Sequence, residues 1–185
     1  MSGSFRNRRF RATAPEDRPR RSRSASRVIV TDGDAVLLFA DTDPGIPGSG
    51  WWVTPGGGID PGETPRAAAV REVAEETGLV IEPERLVGPV AVRTVVHGYS
   101  DQVLSQHESF FLLAVDAPFE IVPDGWTADE QLTLAGWGWH RLTTLGELPQ
   151  PVWPAGLAEL VALTGRRHAW PVDLGRVEES TLPVN

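Results

Sequence analysis

The chain has 185 residues, 41% hydrophobic and 23% charged, with a formal net charge of −8. This length fits one compact domain with some sequence to spare, and argues against a two-domain enzyme. The absence of cysteine excludes disulfide scaffolds, thiol nucleophiles and thiolate-bound zinc, so any metal must be held by oxygen or imidazole.

Residues 1–26 are rich in Arg, Ser and Pro and poor in core-forming side chains, the composition of a disordered arm. Within residues 1–27 nine arginines face only Glu16 and Asp17, which gives +7 and leaves −15 on the remainder, a basic arm on an acidic body. Arg8-Arg9-Phe10 has the start of a twin-arginine export signal, but no apolar region follows. No run approaches the roughly 18 apolar residues that span a bilayer. The expectation is a cytoplasmic protein with no transmembrane segment. All 17 basic residues are Arg, and together with 19 Gly and 16 Pro this points to a GC-rich bacterial source. The arm is the one place that would draw nucleic acid, and a chain starting at Arg27 is expected to work without it.

Folded sequence is expected over 27–168, with 169–185 as a C-terminal tail. VIVTDGDAVLLFA reads as two strands joined at Asp32-Gly33-Asp34, a hairpin turn flanked by aliphatic residues. The loop DTDPGIPGSG follows, then Trp51-Trp52-Val53 leads into Pro55 and three glycines. TPRAAAVREVAEETG reads as a helix with Thr64 as N-cap, Pro65 in its first turn and Gly78 as its stop. Strands are expected around 90–98 and 108–116, then a strand carrying Trp137 and Trp139 on one face, then a helix near 155–164. Strands interleaved with two helices make the class α/β or α+β.

On a helical wheel Ala68, Glu75 and Glu76 fall within about 40–60° of Glu72, while Val70, Val73, Ala74 and Thr77 lie on the far side. One face is a carboxylate stripe and the other is core. Glutamates at i,i+3 and i,i+4 repel by a few tenths of a kcal/mol in water, roughly, and by more where water is excluded. An acidic face taken alone is more often a solvated stripe; here the glycines immediately upstream permit close backbone approach and favour a cation. Oxygen donors select Mg²⁺, Mn²⁺ or Ca²⁺. Arg71 is better placed to orient one carboxylate than to neutralise three. On residues alone, metal-dependent phosphoryl chemistry is the expectation. His97, His107, His140 and His168 show no ligand spacing and read as structural or surface residues. Trp51 and Trp52 alternate on a strand, so one reads as core and the other is a candidate for stacking on a base. Trp137 and Trp139 read as core.

Gly57, five residues, Glu63, seven residues, then Arg71-Glu72-Val73-Ala74-Glu75-Glu76-Thr77-Gly78-Leu79 resembles the Nudix box and matches it at every defined position. With its flanks the resemblance extends over about residues 27 to 165. It implies an α/β/α sandwich with a mixed β-sheet and a loop-helix-loop catalytic segment. The implied activity is a Mg²⁺- or Mn²⁺-dependent pyrophosphohydrolase, which cleaves a nucleoside diphosphate linked to another moiety by water attack on phosphorus. Carried over by position, Glu75 and Glu76 would be metal ligands, helped by the carbonyl of Gly56. Glu72 would be a further ligand or the base that accepts the water's proton, held by Arg71, and Glu63 a supporting carboxylate at the edge. A carboxylate from outside the box often completes such sites, and Glu108 and Glu130 are the two candidates. No substrate subclass is marked: the region after the box reads Thr94-Val95-Val96 where a proline marks ADP-ribose hydrolases, and Tyr99 is displaced from the diadenosine polyphosphate position. Two alternatives accompany this reading, a non-catalytic nucleotide-binding or regulatory module of the same fold and an RNA 5′-pyrophosphohydrolase. The intact box argues against the first, and the −15 body against the second.

Overall fold

A hairpin organises the first half of the chain. β1 (Arg20–Thr31) and β2 (Ala35–Asp41) are antiparallel. Their turn is closed by Asp32, whose Oδ1 accepts from the Asp34 and Ala35 amides at 2.9 and 2.8 Å. This computed structural model describes residue 8 and residues 10–123, 125–162, 165 and 167–184. β3 (Trp51–Val53) pairs antiparallel with β2, β4 (Gly56–Gly58) with β1, and α1 (Pro65–Thr77) follows. β5 (Leu86–Gly98) and β6 (Val103–Ala114) form a second, longer hairpin. The short helix α2 (Glu130–Thr133), β7 (Leu134–Arg141), β8 (Val152–Trp153), α3 (Leu157–Ala162) and β9 (Val172–Glu178) complete the order.

The strands form one mixed sheet in the order β8-β3-β2-β1-β6-β5-β9, with β4 added to β1 and β7 to β2. Residues alternate between two cores, as the period of two requires. Val28, Val30, Phe111 and Leu113 face α1 through Ala69 and Val73. Ile29, Phe110 and Leu112 face α3 through Leu157, Leu160 and Val161. Helices therefore cover both faces, the expected α/β/α sandwich. Trp137 and Trp139 pack half-buried at the margin of the first core.

Three expectations differ from what the structure shows. The first is the arm: β1 begins at Arg20, and its residues Arg20 to Thr31 run parallel to β6 from Val103 to Ala114. The arginines that gave this stretch a disordered composition anchor it. Arg23 Nε donates to Gln106 at 2.5 Å and Arg27 Nε to Glu108 at 2.9 Å. Arg18 is buried and donates to the carbonyls of Tyr99 and Pro183. Arg8 pairs with Asp101 at 2.6 Å, its guanidinium lying between the rings of Phe10 and Tyr99. Residues 1–7 and 9 of the arm lie outside the described residues. The second is the tail: Val172–Glu178 is a strand parallel to β5, too short and too interrupted by Gly175 to show a clear alternation. The third is the wheel of α1. Glu72 and Glu76 are as buried as Val73 and Thr77, whereas Val70 and Ala74 are half-buried, because β1 and β4 close over the carboxylate side.

A chain starting at Arg27 therefore loses the pairing of Arg20–Ser26 with β6 and of Ala25 and Ser26 with β4. At about 1 kcal/mol net per hydrogen bond, the loss is a large part of the roughly 5–15 kcal/mol that holds a domain together. Thermal unfolding is expected to show a fall of more than about 10 °C for that chain, and only a small change for one starting at Thr13.

Candidate functional site

α1 starts where its cap residue dictates. The Thr64 side chain accepts from the Ala67 amide and Pro65 occupies the first turn, while Gly78 ends the helix in left-handed backbone at φ 76°. Between β1 and this helix lies β4, a strand of glycine alone. Gly56 has φ 131°, and a Cβ there would stand 2.1 Å from the Ser26 carbonyl oxygen. At Gly57 a Cβ would meet the Glu72 carboxylate at 2.6 Å. The first glycine of the motif is thus the space into which Glu72 fits. The Gly56 amide donates to Glu76 Oε2 at 2.8 Å, which ties the glycine turn to the helix one turn beyond.

Glu72, Glu76 and Glu130 converge here, each offering an oxygen within 4.8 Å of the others. Glu130 arrives from a distant loop docked on the end of α1, where the Val122 and Gly125 amides donate to the Thr77 and Glu75 carbonyls at 3.0 and 3.1 Å. Thr127 and Glu130 then cap each other reciprocally, with amide-to-side-chain distances of 2.6 and 3.3 Å. Glu75 stands outside this group: its side chain is 42% exposed and accepts from Arg71 Nη1 at 3.1 Å.

Arg71 reaches further than expected. It forks onto Glu63 with two 3.0 Å bonds, donates to Glu72 Oε1 at 2.8 Å and to Glu75, and reaches the Gly58 carbonyl at 3.0 Å. One guanidinium therefore orients three carboxylates and the glycine turn. Its hydrogen bonds hold the Glu63 carboxyl below its usual value. They do not suffice deeper in: burial raises the Glu72 carboxyl against the pull of Arg71. Burial, with Glu72 and Glu130 nearby, pushes Glu76 well above the ordinary range. Three oxygen donors that resist sharing negative charge fit a hard divalent cation.

Glu108 does not join this cluster. It shares with Phe110 the face opposite α1 and is 1% exposed. There it pairs with Arg27 at 2.9 Å and Arg93 at 2.6 Å. Burial alone would raise its carboxyl; the two arginines bring it down to about 2. Trp51 is core, stacked on Trp153 at 4.8 Å, while Trp52 is half-buried against His140 at 4.3 Å. His97 is buried, its Nδ1 2.6 Å from the Glu179 carbonyl. Arg27, Arg93 and Glu179 were not marked by any motif; the one available signal was an Arg and a Glu at inward positions of two strands.

A NUDIX domain model matches residues 21–163. The Nudix hydrolase YvcI of Bacillus subtilis (strain 168) is 32% identical over 122 residues, 66% of this chain and 67% of that protein. The 8-oxo-dGDP phosphatase NUDT18 of Homo sapiens is 42% identical over 73 residues, 37% of this chain but only 22% of that protein. Among solved structures, the dihydroneopterin triphosphate pyrophosphohydrolase of E. coli superposes with a TM-score of 0.53 at 22% identity, over 78% of this chain and 95% of that one. No helix among the described residues is long and apolar enough to cross a membrane.

The raised Glu72 and Glu76 carboxyls penalise the folded state above their shifted values, and the penalty vanishes below the ordinary carboxylate range. The contribution of these two groups to metal-free stability is therefore expected to rise as pH falls from 7 towards about 5, against the opposite contribution of His97, which burial lowers to about 4; wild type compared with Glu76→Gln isolates it. Glu76→Gln keeps an oxygen for the Gly56 amide and removes a charge, so it should raise the metal-free Tm at pH 7 and lose any stabilisation by added Mg²⁺. Differential scanning calorimetry with and without Mg²⁺ at both pH values checks this.

Proposed function

Because the chain belongs to the Nudix family, whose members are hydrolases acting on phosphoric anhydrides, we propose that it is a Mg²⁺- or Mn²⁺-dependent pyrophosphohydrolase of nucleoside triphosphates or other nucleoside diphosphate derivatives. The observation that carries this reading is the convergence of Glu72, Glu76 and Glu130 beside a glycine turn, on the buried side of α1. Those three residues would hold the ion. In that place the ion would neutralise the phosphates and acidify a bound water.

The chain's own residues supply the rest. Glu72 Oε1 is fixed by Arg71, so the same carboxylate is pre-oriented to accept the proton of the attacking water at its other oxygen. Glu63 acts through Arg71, holding the guanidinium by a two-bond fork that a flexible ammonium does not reproduce. Glu75 keeps Arg71 from swinging to solvent. The Gly56 amide faces Glu76, while its carbonyl, the expected backbone ligand, accepts from Arg27 Nη1 at 2.8 Å. Half-buried Trp52 is the candidate for stacking on a base. The likeness to an 8-oxo-dGDP phosphatase supports a purine nucleotide as the first substrate to try.

Purified protein assayed against nucleoside triphosphates, nucleoside diphosphates, diadenosine polyphosphates and 5′-triphosphorylated RNA should turn over a small nucleotide in Mg²⁺ and stop in excess EDTA. Glu76→Gln and Glu130→Gln should each reduce turnover by about 10²-fold or more, and Arg71→Lys by about tenfold. Glu75→Gln should fall far less than Glu76→Gln. Tight nucleotide binding without hydrolysis would favour a binding module, and exclusive action on RNA the other alternative.

A further inference from the structure

The second carboxylate system of the molecule lies on the other face of the sheet, and it ends at the same glycine turn. Arg27 Nη1 donates to the Gly56 carbonyl at 2.8 Å, and its Nε to Glu108 Oε1 at 2.9 Å. Glu108 Oε2 accepts from Arg93 Nε at 2.6 Å. Arg93 forks onto Glu179 with bonds of 2.7 and 2.8 Å. Arg93, Glu108 and Glu179 are 4%, 1% and 8% exposed. The cavity beside them, also lined by Asp41, His97 and Tyr99, has a volume of about 20 Å³, room for about one water. The four charges sum to zero in a place where solvent screens them little.

We infer that Glu179 and Arg93 are positioning residues, which act through Glu108 and Arg27 to fix the Gly56 carbonyl and with it the glycine turn of the carboxylate site. This rests on the proposed function for its catalytic consequence but not for its geometry. Gly56 is held from both sides, its amide by Glu76 and its carbonyl by Arg27. Without Glu179, Arg93 keeps Glu108 as its one ion-pair partner in the chain of charges and competes for it with Arg27, whose hold on Gly56 loosens. The residue that closes the relay lies beyond the stretch matched by the family model, residues 21–163, in the segment that joins β9 to the β5 edge, where the Glu179 amide also donates to the Val96 carbonyl at 3.0 Å. The residue that follows β9 thus completes the site from behind.

Glu179→Gln is the test, in the full-length protein. The amide resonances of Gly56 and Gly57 are expected to shift in metal-free NMR spectra although Glu179 lies more than 120 residues away in the chain, and Mg²⁺ affinity by titration calorimetry should weaken by about threefold or more. Turnover should fall through kcat with KM for nucleotide little changed. Glu179→Asp should restore both, and Glu179→Gln added to Arg27→Gln should cost nothing more than Arg27→Gln alone. If Glu179→Gln proves too unstable, Arg93→Met with Glu179→Met removes one charge of each sign, a change that buried pairs tolerate, and the same shifts are expected. Unchanged Gly56 and Gly57 resonances with unchanged Mg²⁺ affinity in a folded variant, or additive losses with Arg27→Gln, would overturn the inference. A wild-type protein that hydrolyses no nucleotide would instead overturn the proposed function, leaving the resonance and affinity comparisons to decide the relay.

Discussion

A hydrogen bond from the Gly56 amide to Glu76 joins the sheet to α1, and the site is built around the close approach that it requires. Glu76 must be inside for this bond to form, so the acidic side of the helix is turned inward and a penalty is accepted in its carboxyls. The glycines upstream are the other half of the same constraint. With a side chain at Gly56 or Gly57, β4 could not lie between β1 and the Glu72 carboxylate. What reads as a sequence motif is therefore a packing rule: small residues where a carboxylate must enter, and carboxylates where a cation would offset their repulsion.

Two arginines manage the remaining charge, one on each side of the turn. Arg71 gathers Glu63, Glu72 and Glu75 on the helix side. Arg27 links the turn to Glu108 on the opposite face. The difference between their partners is instructive. Glu108 between two arginines is held ionised, at about 2, whereas Glu76, beside two other glutamates, is driven the other way. The first arrangement is complete within the chain; the second is not, and this distinguishes a structural carboxylate from one that fits a ligand.

The local parts of this architecture were legible in the sequence. Thr64, Pro65 and Gly78 fix both ends of α1 because capping depends on neighbours in the chain, and Asp32-Gly33-Asp34 fixes the first hairpin for the same reason. The order of the glycines and glutamates was enough to mark the candidate site and the family. What could not be read was long-range. Glu130 and Glu108 were equal candidates in sequence, since only the docking of the 120s loop on the end of α1 and the strand register of β6 separate them. The arginines of residues 20–27 have the composition of a solvated arm, and their partners Gln106 and Glu108 are some eighty residues away. Glu75 and Glu76 are adjacent and chemically identical, yet a helix turns 100° between them, and burial separates their environments.

The central claim is that Glu72, Glu76 and Glu130 form one buried cation site that excludes Glu75. Anomalous diffraction from crystals grown with Mn²⁺ tests it most directly. A strong peak in bonding contact with oxygens of Glu72, Glu76 and Glu130, with Glu75 still on Arg71, is the predicted result. A peak bound through Glu75 with Glu130 turned away, or no peak near α1 at saturating Mn²⁺, would contradict it.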